Sequence, residues 1–328
     1  YKIPKVKTKF YFYDIIRAIR KQRELQFNRR LLYMGYLFAI ISSLFFTFYV
    51  VPKKISKQTP TKYSLFMGLG FFIISVIMYI TNKILVYNPQ ETLLNPILIL
   101  SGIGGILWLI GSIFFLTAID KIGLSRSNQW KNLQGPIGAI LTLVFLSEFV
   151  QTKVIYIILA IIFILVSAML FTIKNKDEKI VDKRGIIYAI LSALFFGTNA
   201  LIQKYATNNG LVYSQQVYFS GLVFISAFVY LLVKEKNIKF LGDIKSKNNI
   251  LGIVGGFIYF FASFFSTLAY KYIPGSIAFT IVQLNAVWTV LVGIIIFKEI
   301  DFKKNWPRII LGILLAIIGV IMLLFAQN

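Results

Sequence analysis

The residues of this chain best equipped for chemistry lie in "SRSNQWKNLQGPIG", residues 125–138, where two cations and four amides stand directly before the apolar run "AILTLVFL". On one continuous helix Ser127, Lys131, Gln134 and Gly138 share a stripe, and Asn128, Asn132, Gly135 and Thr142 share its neighbour. Together they make one wide polar face. An amide exposed to lipid loses its water partners at a cost of several kcal/mol, so this face must meet protein or a wet cavity. Pro136 cannot donate to the carbonyl of Asn132, which predicts a free backbone acceptor inside the cluster. Amides that each donate and accept suit a neutral polyol. The alternative use of the same groups is interhelical hydrogen bonding with no solute.

Lys131 falls about 10 Å inside its span at 1.5 Å per residue. It either faces a cavity, where it would disfavour cationic substrates, or snorkels its ammonium to the interface. Arg126, nearer the end, is expected to snorkel. A second polar set, "TIVQLNAVW", supplies Thr280, Gln283, Asn285 and Trp288 without charge. Asn199 and Thr198, and Ser263, Ser266 and Thr267, are weaker candidates, because hydroxyls in apolar helices often bond their own backbone. Trp130 beside the cluster and the deeper Trp108 offer indole faces of the kind that stack on sugar rings, or simply pack. The candidate substrate contacts are therefore Asn128, Trp130, Lys131, Asn132, Gln134, Asn199, Thr280, Gln283 and Asn285.

Other chemistries are short of residues. The chain has no Cys and no His, which removes disulfides, thiol nucleophiles, imidazole proton relays and His-ligated metals. No catalytic residue, metal or cofactor is called for, and the chain reads as a non-enzyme. None of its carboxylates falls in the middle of an apolar run. An exporter that exchanges lipophilic cations for protons needs such an acid. Glu148 and Glu299 stand just past helix C-termini, where the helix dipole disfavours anions, which suggests a paired or capping role in each.

The elements that must position these residues are membrane spans. Of 328 residues 58% are hydrophobic and only 14% charged, against about a quarter charged in soluble domains. Mean hydropathy is +0.76. Ten apolar spans are predicted: Leu31–Val51, Tyr63–Ile80, Pro96–Ala118, Leu124–Leu146, Val154–Phe171, Gly185–Ile202, Tyr213–Val233, Ile250–Leu268, Ser276–Phe297 and Ile309–Ala326. The net charge of +23 sits in short loops and the first thirty residues, as expected beside anionic headgroups, and no nucleic-acid-binding pattern accompanies it.

The chain also repeats itself. "ISSLFFTFYVVPKK" (41–54) matches "LSALFFGTNALIQK" (191–204), and "GIGGILWLIGSIFFLTA" (102–118) matches "IVGGFIYFFASFFSTLA" (253–269). Ser125, Leu133 and Glu148 align with Ser276, Leu284 and Glu299, pairing Asn132 with Gln283 and Gln134 with Asn285. Five spans per half is odd, so the halves must enter the membrane in opposite senses. The expected fold is an all-α membrane protein of ten transmembrane helices in a 5+5 inverted-topology repeat. Its parts are a basic amphipathic segment (1–30), a first five-helix repeat (31–173), a charged linker (174–184) and a second repeat (185–328). Ten spans put both termini on one side. The cations of the first thirty residues favour the cytoplasm; the loops point the other way, since those on the termini's own face carry only Lys83, Lys153, Lys204 and Lys271.

These features together resemble the drug/metabolite transporter superfamily, and within it the bacterial glucose/ribose porter family. The resemblance rests on "FAIISSLFFTFYVVPKK", on "GGILWLIGSIFFLTAIDKIGLSRSNQWKNLQGPIGAILTLVFLSEF" and on the span-three glycines, and covers roughly residues 31 to 326. The first span departs from the superfamily in carrying Phe46-Thr47 where a Trp-Gly pair is common. The resemblance implies sugar uptake in the cell membrane with cytoplasmic termini. The leading expectation is a secondary transporter of a small neutral solute, a monosaccharide such as glucose or ribose, working by alternating access. The alternatives are an organic-anion or sugar-phosphate exchanger that uses Lys131, and a non-transporting integral membrane protein. The expected partners are a sugar-like small molecule and the lipid bilayer, not nucleic acid; the sequence leaves the oligomeric state open.

Overall fold

The computed structural model describes residues 29–56, 58–86, 88–170, 182–236, 238–242, 245–298 and 302–326. The predicted interfacial helix of the first thirty residues and most of the 174–184 linker lie outside them, as does Glu299. Among the described residues the chain is helical: α1 (Arg29–Ser56, with a turn at 49–50), α2 (Pro60–Leu85), α3 (Leu98–Ile122), α4 (Leu124–Lys131), α5 (Gln134–Phe145), α6 (Val154–Leu170), α7 (Lys183–Asn208), α8 (Ser214–Glu235), α9 (Lys247–Tyr272), α10 (Gly275–Val282), α11 (Asn285–Ile295) and α12 (Phe302–Leu324). Eight stretches are long and apolar enough to cross a membrane, α10 with α11 counting as one, and α6 is a shorter apolar helix. The protein is a multi-pass membrane protein.

The fourth predicted span is missing from those eight because its first half, with Arg126, Lys131 and four amides, is too polar, and it is also not one helix. It breaks at Asn132–Leu133 into α4 and α5, of 8 and 12 residues. The ninth breaks at Gln283–Leu284 into α10 and α11. Pro136 denies the first break one backbone donor. The second has no proline. There the Gln283 amide donates to the Phe279 carbonyl (2.9 Å) and Asn285 to that of Val282 (3.0 Å), so side chains take carbonyls that the helix ladder would use. The free acceptor predicted at Asn132 is not found: Gly135 N–H closes a tight turn onto that carbonyl at 3.0 Å.

Helix α3 packs on α7 and α8, α2 on α8 and α9, α6 on α12, and the broken helices on α7 and on each other. The closest approaches run through glycine. A side chain at Gly105 would strike the carbonyl of Phe219 on α8, and one at Gly256 would strike the carbonyl of Met67 on α2. Burial grades from inside out: 72% of the α10–α11 window is buried against 28% of that of α12, whose Ile310, Leu314, Ile317 and Ile321 face outward. An apolar outer face on that helix suits hydrocarbon, not water.

Candidate functional site

The two helix breaks meet. The Asn128 amide of α4 donates to Asn285 Oδ1 (3.1 Å) and Thr289 Oγ1 (3.2 Å) of α11. Gln134 Nε2 of α5 donates to Gln283 Oε1 at 3.1 Å. Thr47 of α1 closes the group by donating to the Asn285 carbonyl at 3.0 Å. All of these side chains are buried. A shell of mutually bonded amides is rigid, because moving one member leaves another unsatisfied.

Beside this shell lies a narrow cavity of about 30 Å³, room for about one water molecule, with one side open to the outside, so a sugar enters only when the helices around it move apart. Its aromatic wall is Phe46 and Tyr49 of α1, Trp108 of α3, Phe196 of α7 and Tyr259 of α9. Tyr259 is the hub, with ring centroids 4.4 Å from Trp108, 5.1 Å from Tyr49 and 5.6 Å from Phe46. The polar wall is Lys131, Gln134, Asn199 and Gln203. The Lys131 side chain is only 2% exposed, and its ammonium stands 5.0 Å above the Phe115 ring. It has no ion-pair partner among the described residues, and no Asp or Glu lines the cavity. Asn199 Oδ1 is buried without a hydrogen-bond partner. Aromatic faces next to amide donors and acceptors can hold a ring that is apolar on its faces and hydroxylated on its rim.

Near Tyr270 of the cavity wall lies a buried ionic group. Ser147 turns the chain with a positive φ of 53°, and the Glu148 carboxylate accepts from the N–H groups of Gly275 (2.6 Å) and Ser276 (2.9 Å) at the start of α10. The anion sits past the end of its own helix yet at the favourable N-terminus of another. The Lys204 ammonium donates to the carbonyls of Tyr270 (2.6 Å) and Ile273 (3.1 Å) just before that start. The capping role expected of Glu148 is thus fulfilled across the two halves.

Residues 84–326 match the family model described as "Sugar transport protein". The chain belongs to that family. Relatives in it include the "Probable glucose uptake protein GlcU" of Priestia megaterium, 26% identical over 82% of this chain and 91% of that one. A protein named for sugar uptake in Listeria monocytogenes is 24% identical over 88% of this chain and 98% of its own. One solved crystal structure superposes with a TM-score of 0.66 over 88% of this chain and 96% of the other at 10% identity, a likeness of fold alone.

Of the residues that the sequence singled out in this family member, Lys131, Gln134 and Asn199 line the cavity. Asn128, Gln283 and Asn285 form the shell beside it. Asn132 is 1% exposed, and neither amide atom has a hydrogen-bond partner. Thr280 bonds the Ser276 carbonyl of its own helix at 2.6 Å. Trp130 is half-buried and outside the lining, and Trp108 supplies the indole instead. Arg126 does not snorkel: it is 7% exposed. Thr198 bonds its own backbone, as expected of a hydroxyl there. Sequence reasoning missed the aromatic wall from α1 and α9 and the amide of Gln203. Phe46, Tyr49 and Tyr259 were lost among 31 Phe and 18 Tyr; the available signal was the repeat, which aligns Phe46 with Phe196, Tyr49 with Asn199 and Trp108 with Tyr259.

Proposed function

We propose that the protein carries a monosaccharide across the cell membrane by alternating access between two inverted five-helix halves. The observation that carries this reading is the cavity, an aromatic wall facing an amide wall, contributed by both halves in a chain of the sugar transport protein family. The names of its relatives favour uptake of glucose or a similar sugar. Trp108 and Tyr259 would stack on the sugar ring, and Gln134, Asn199 and Gln203 would bond its hydroxyls.

The inverted arrangement is supported by how equivalent elements cross. The first piece of span four (α4) touches the second piece of span nine (α11), and the second piece (α5) touches the first (α10). Spans five and ten also run antiparallel: Lys153 N–H, before α6, donates to the Ala326 carbonyl after α12, while Gly319 lies against Ala160 and Ile164. Equivalent helices that meet antiparallel fit a pseudo-twofold axis in the membrane plane, with substrate held where the broken helices cross. The rigid shell of amides would then be the fixed pivot about which the halves rock, and Glu148 with Lys204 a closure at one end. Cytoplasmic termini follow from the N-terminal cations on this reading.

Uptake of labelled glucose and ribose into proteoliposomes, with and without sugar inside, tests the function. A carrier takes up either sugar saturably, and faster when the lumen holds unlabelled sugar. No saturable uptake of any sugar would end this reading.

A further inference from the structure

The cavity is one negative charge short. Lys131 is buried at the α4–α5 break, reaches into the cavity beside Gln134, and among the described residues its ammonium has the face of Phe115 and no acid beside it. The charged and titratable groups packed around it do not supply a counter-ion. From α7, Lys204 is a second cation already bound to two carbonyls. From α9, Tyr259 and Tyr270 are neutral phenols. The buried acid Glu148 is occupied by the N-terminus of α10. A cation buried without a partner is costly, and ionisable groups inside a membrane protein mark what passes through it.

We propose that the preferred substrate is a monosaccharide bearing one carboxylate, a hexuronate or aldonate, with Lys131 as the residue that selects it. This rests on the sugar-carrier reading above and deepens it. The carboxylate would sit against Lys131 and the amide of Gln134, while the ring lies on Trp108 and Tyr259. A single ammonium balances a single carboxylate. A phosphate monoester carries nearly two charges, and the lining offers no second cation for it. A protonated amino sugar meets like charge and is rejected. Substitution by arginine keeps the charge, so it should keep part of the preference.

The test is uptake into proteoliposomes of labelled glucuronate, glucose, glucosamine and glucose 6-phosphate by the wild-type protein, Lys131→Met and Lys131→Arg. In the wild type, glucuronate is expected to show an apparent affinity about ten- to a hundredfold tighter than glucose, the value of one charge-assisted hydrogen bond, with glucosamine weakest. In Lys131→Met the ratio of glucuronate to glucose falls to about one, and Lys131→Arg lies between. Competition by unlabelled glucuronate against glucose in the wild type gives the same answer if Lys131→Met does not fold. Glucose preferred by the wild type, glucose 6-phosphate preferred over glucuronate, or a ratio unmoved in folded Lys131→Met would each overturn the assignment. In all three cases sugar uptake itself survives, whereas uptake of no sugar at all defeats the carrier reading with it.

Discussion

The broken helix of the first half and that of the second interrupt at aligned positions, Asn132–Leu133 and Gln283–Leu284, but reach the same shape by different means. The first uses Pro136 and carries Lys131, Asn132 and Gln134 on both sides of the break. The second has no proline and no charge, and uses two amide side chains to draw carbonyls out of the ladder. A matched geometry with unmatched chemistry separates two jobs. The break lets two helices cross closely where the proposed solute would sit, and that demand is shared. Recognising an asymmetric solute needs unlike walls, so the polar charge load can concentrate in one half.

The largest expected effect tests whether the halves are equivalent as packing. Gly105→Leu and Gly256→Leu each drive a side chain into a backbone carbonyl of a neighbouring helix. Each is expected to cost more than about 3 kcal/mol, read as loss of monodisperse protein in detergent. One variant tolerated and the other not would show that only one half needs the close approach. Next comes Glu148→Ala, which strips the cap from two N–H groups of α10 and leaves Lys204 beside it without a nearby anion. A loss of about 3 kcal/mol, measured as a lower thermal midpoint in detergent, is expected.

A smaller effect sharpens the comparison at the break. A double-mutant cycle on Asn128→Leu and Asn285→Leu should give a coupling of about 1 kcal/mol in thermal stability, because each amide satisfies the other. Additive losses would mean that the shell is not one unit. The smallest effect lies at the surface. The hydrogen bond from Lys121, and that from the Arg184 backbone, hold the Asp182 carboxyl below its ordinary range. The unfolded chain therefore binds that proton more tightly, so the contribution is present at neutral pH and fades as pH falls through the folded value. Asp182→Asn should lower the thermal midpoint slightly at pH 7 and not at all in acid, so that the acid-side slope flattens.

Several of these features were legible in the chain as written. Apolar runs of bilayer length mark the spans, because the bilayer fixes that length whatever the neighbours are. The repeat placed Leu133 opposite Leu284, and both positions are breaks. The odd position of Glu148, an acid past a helix C-terminus, signalled a cap before its partner was visible. Other features were not legible. A helical wheel drawn through Asn132 assumes one axis, and the turn at 132–133 sends Lys131 and Gln134 into the cavity while Trp130 falls outside it. Arg126, near a helix end, reads as a residue bound for water, yet it is buried by the packed helices.

What the sequence by itself determined is therefore what depends on periodicity, length and local chemistry: a polytopic helical chain, two aligned positions where helices break, and a polar interruption that lipid cannot face. What only the tertiary structure decided is which groups share a space. Phe46, Tyr49, Trp108 and Tyr259 come from three helices and become one wall only because α1, α3 and α9 converge. Aromatic residues are equally apolar on a lipid face and in a cavity, so their type says nothing about their place. The isolation of Lys131 is of the same kind: its place in the sequence says only that it can carry a proton, and only the packing around it shows that no acid among the described residues lines its cavity.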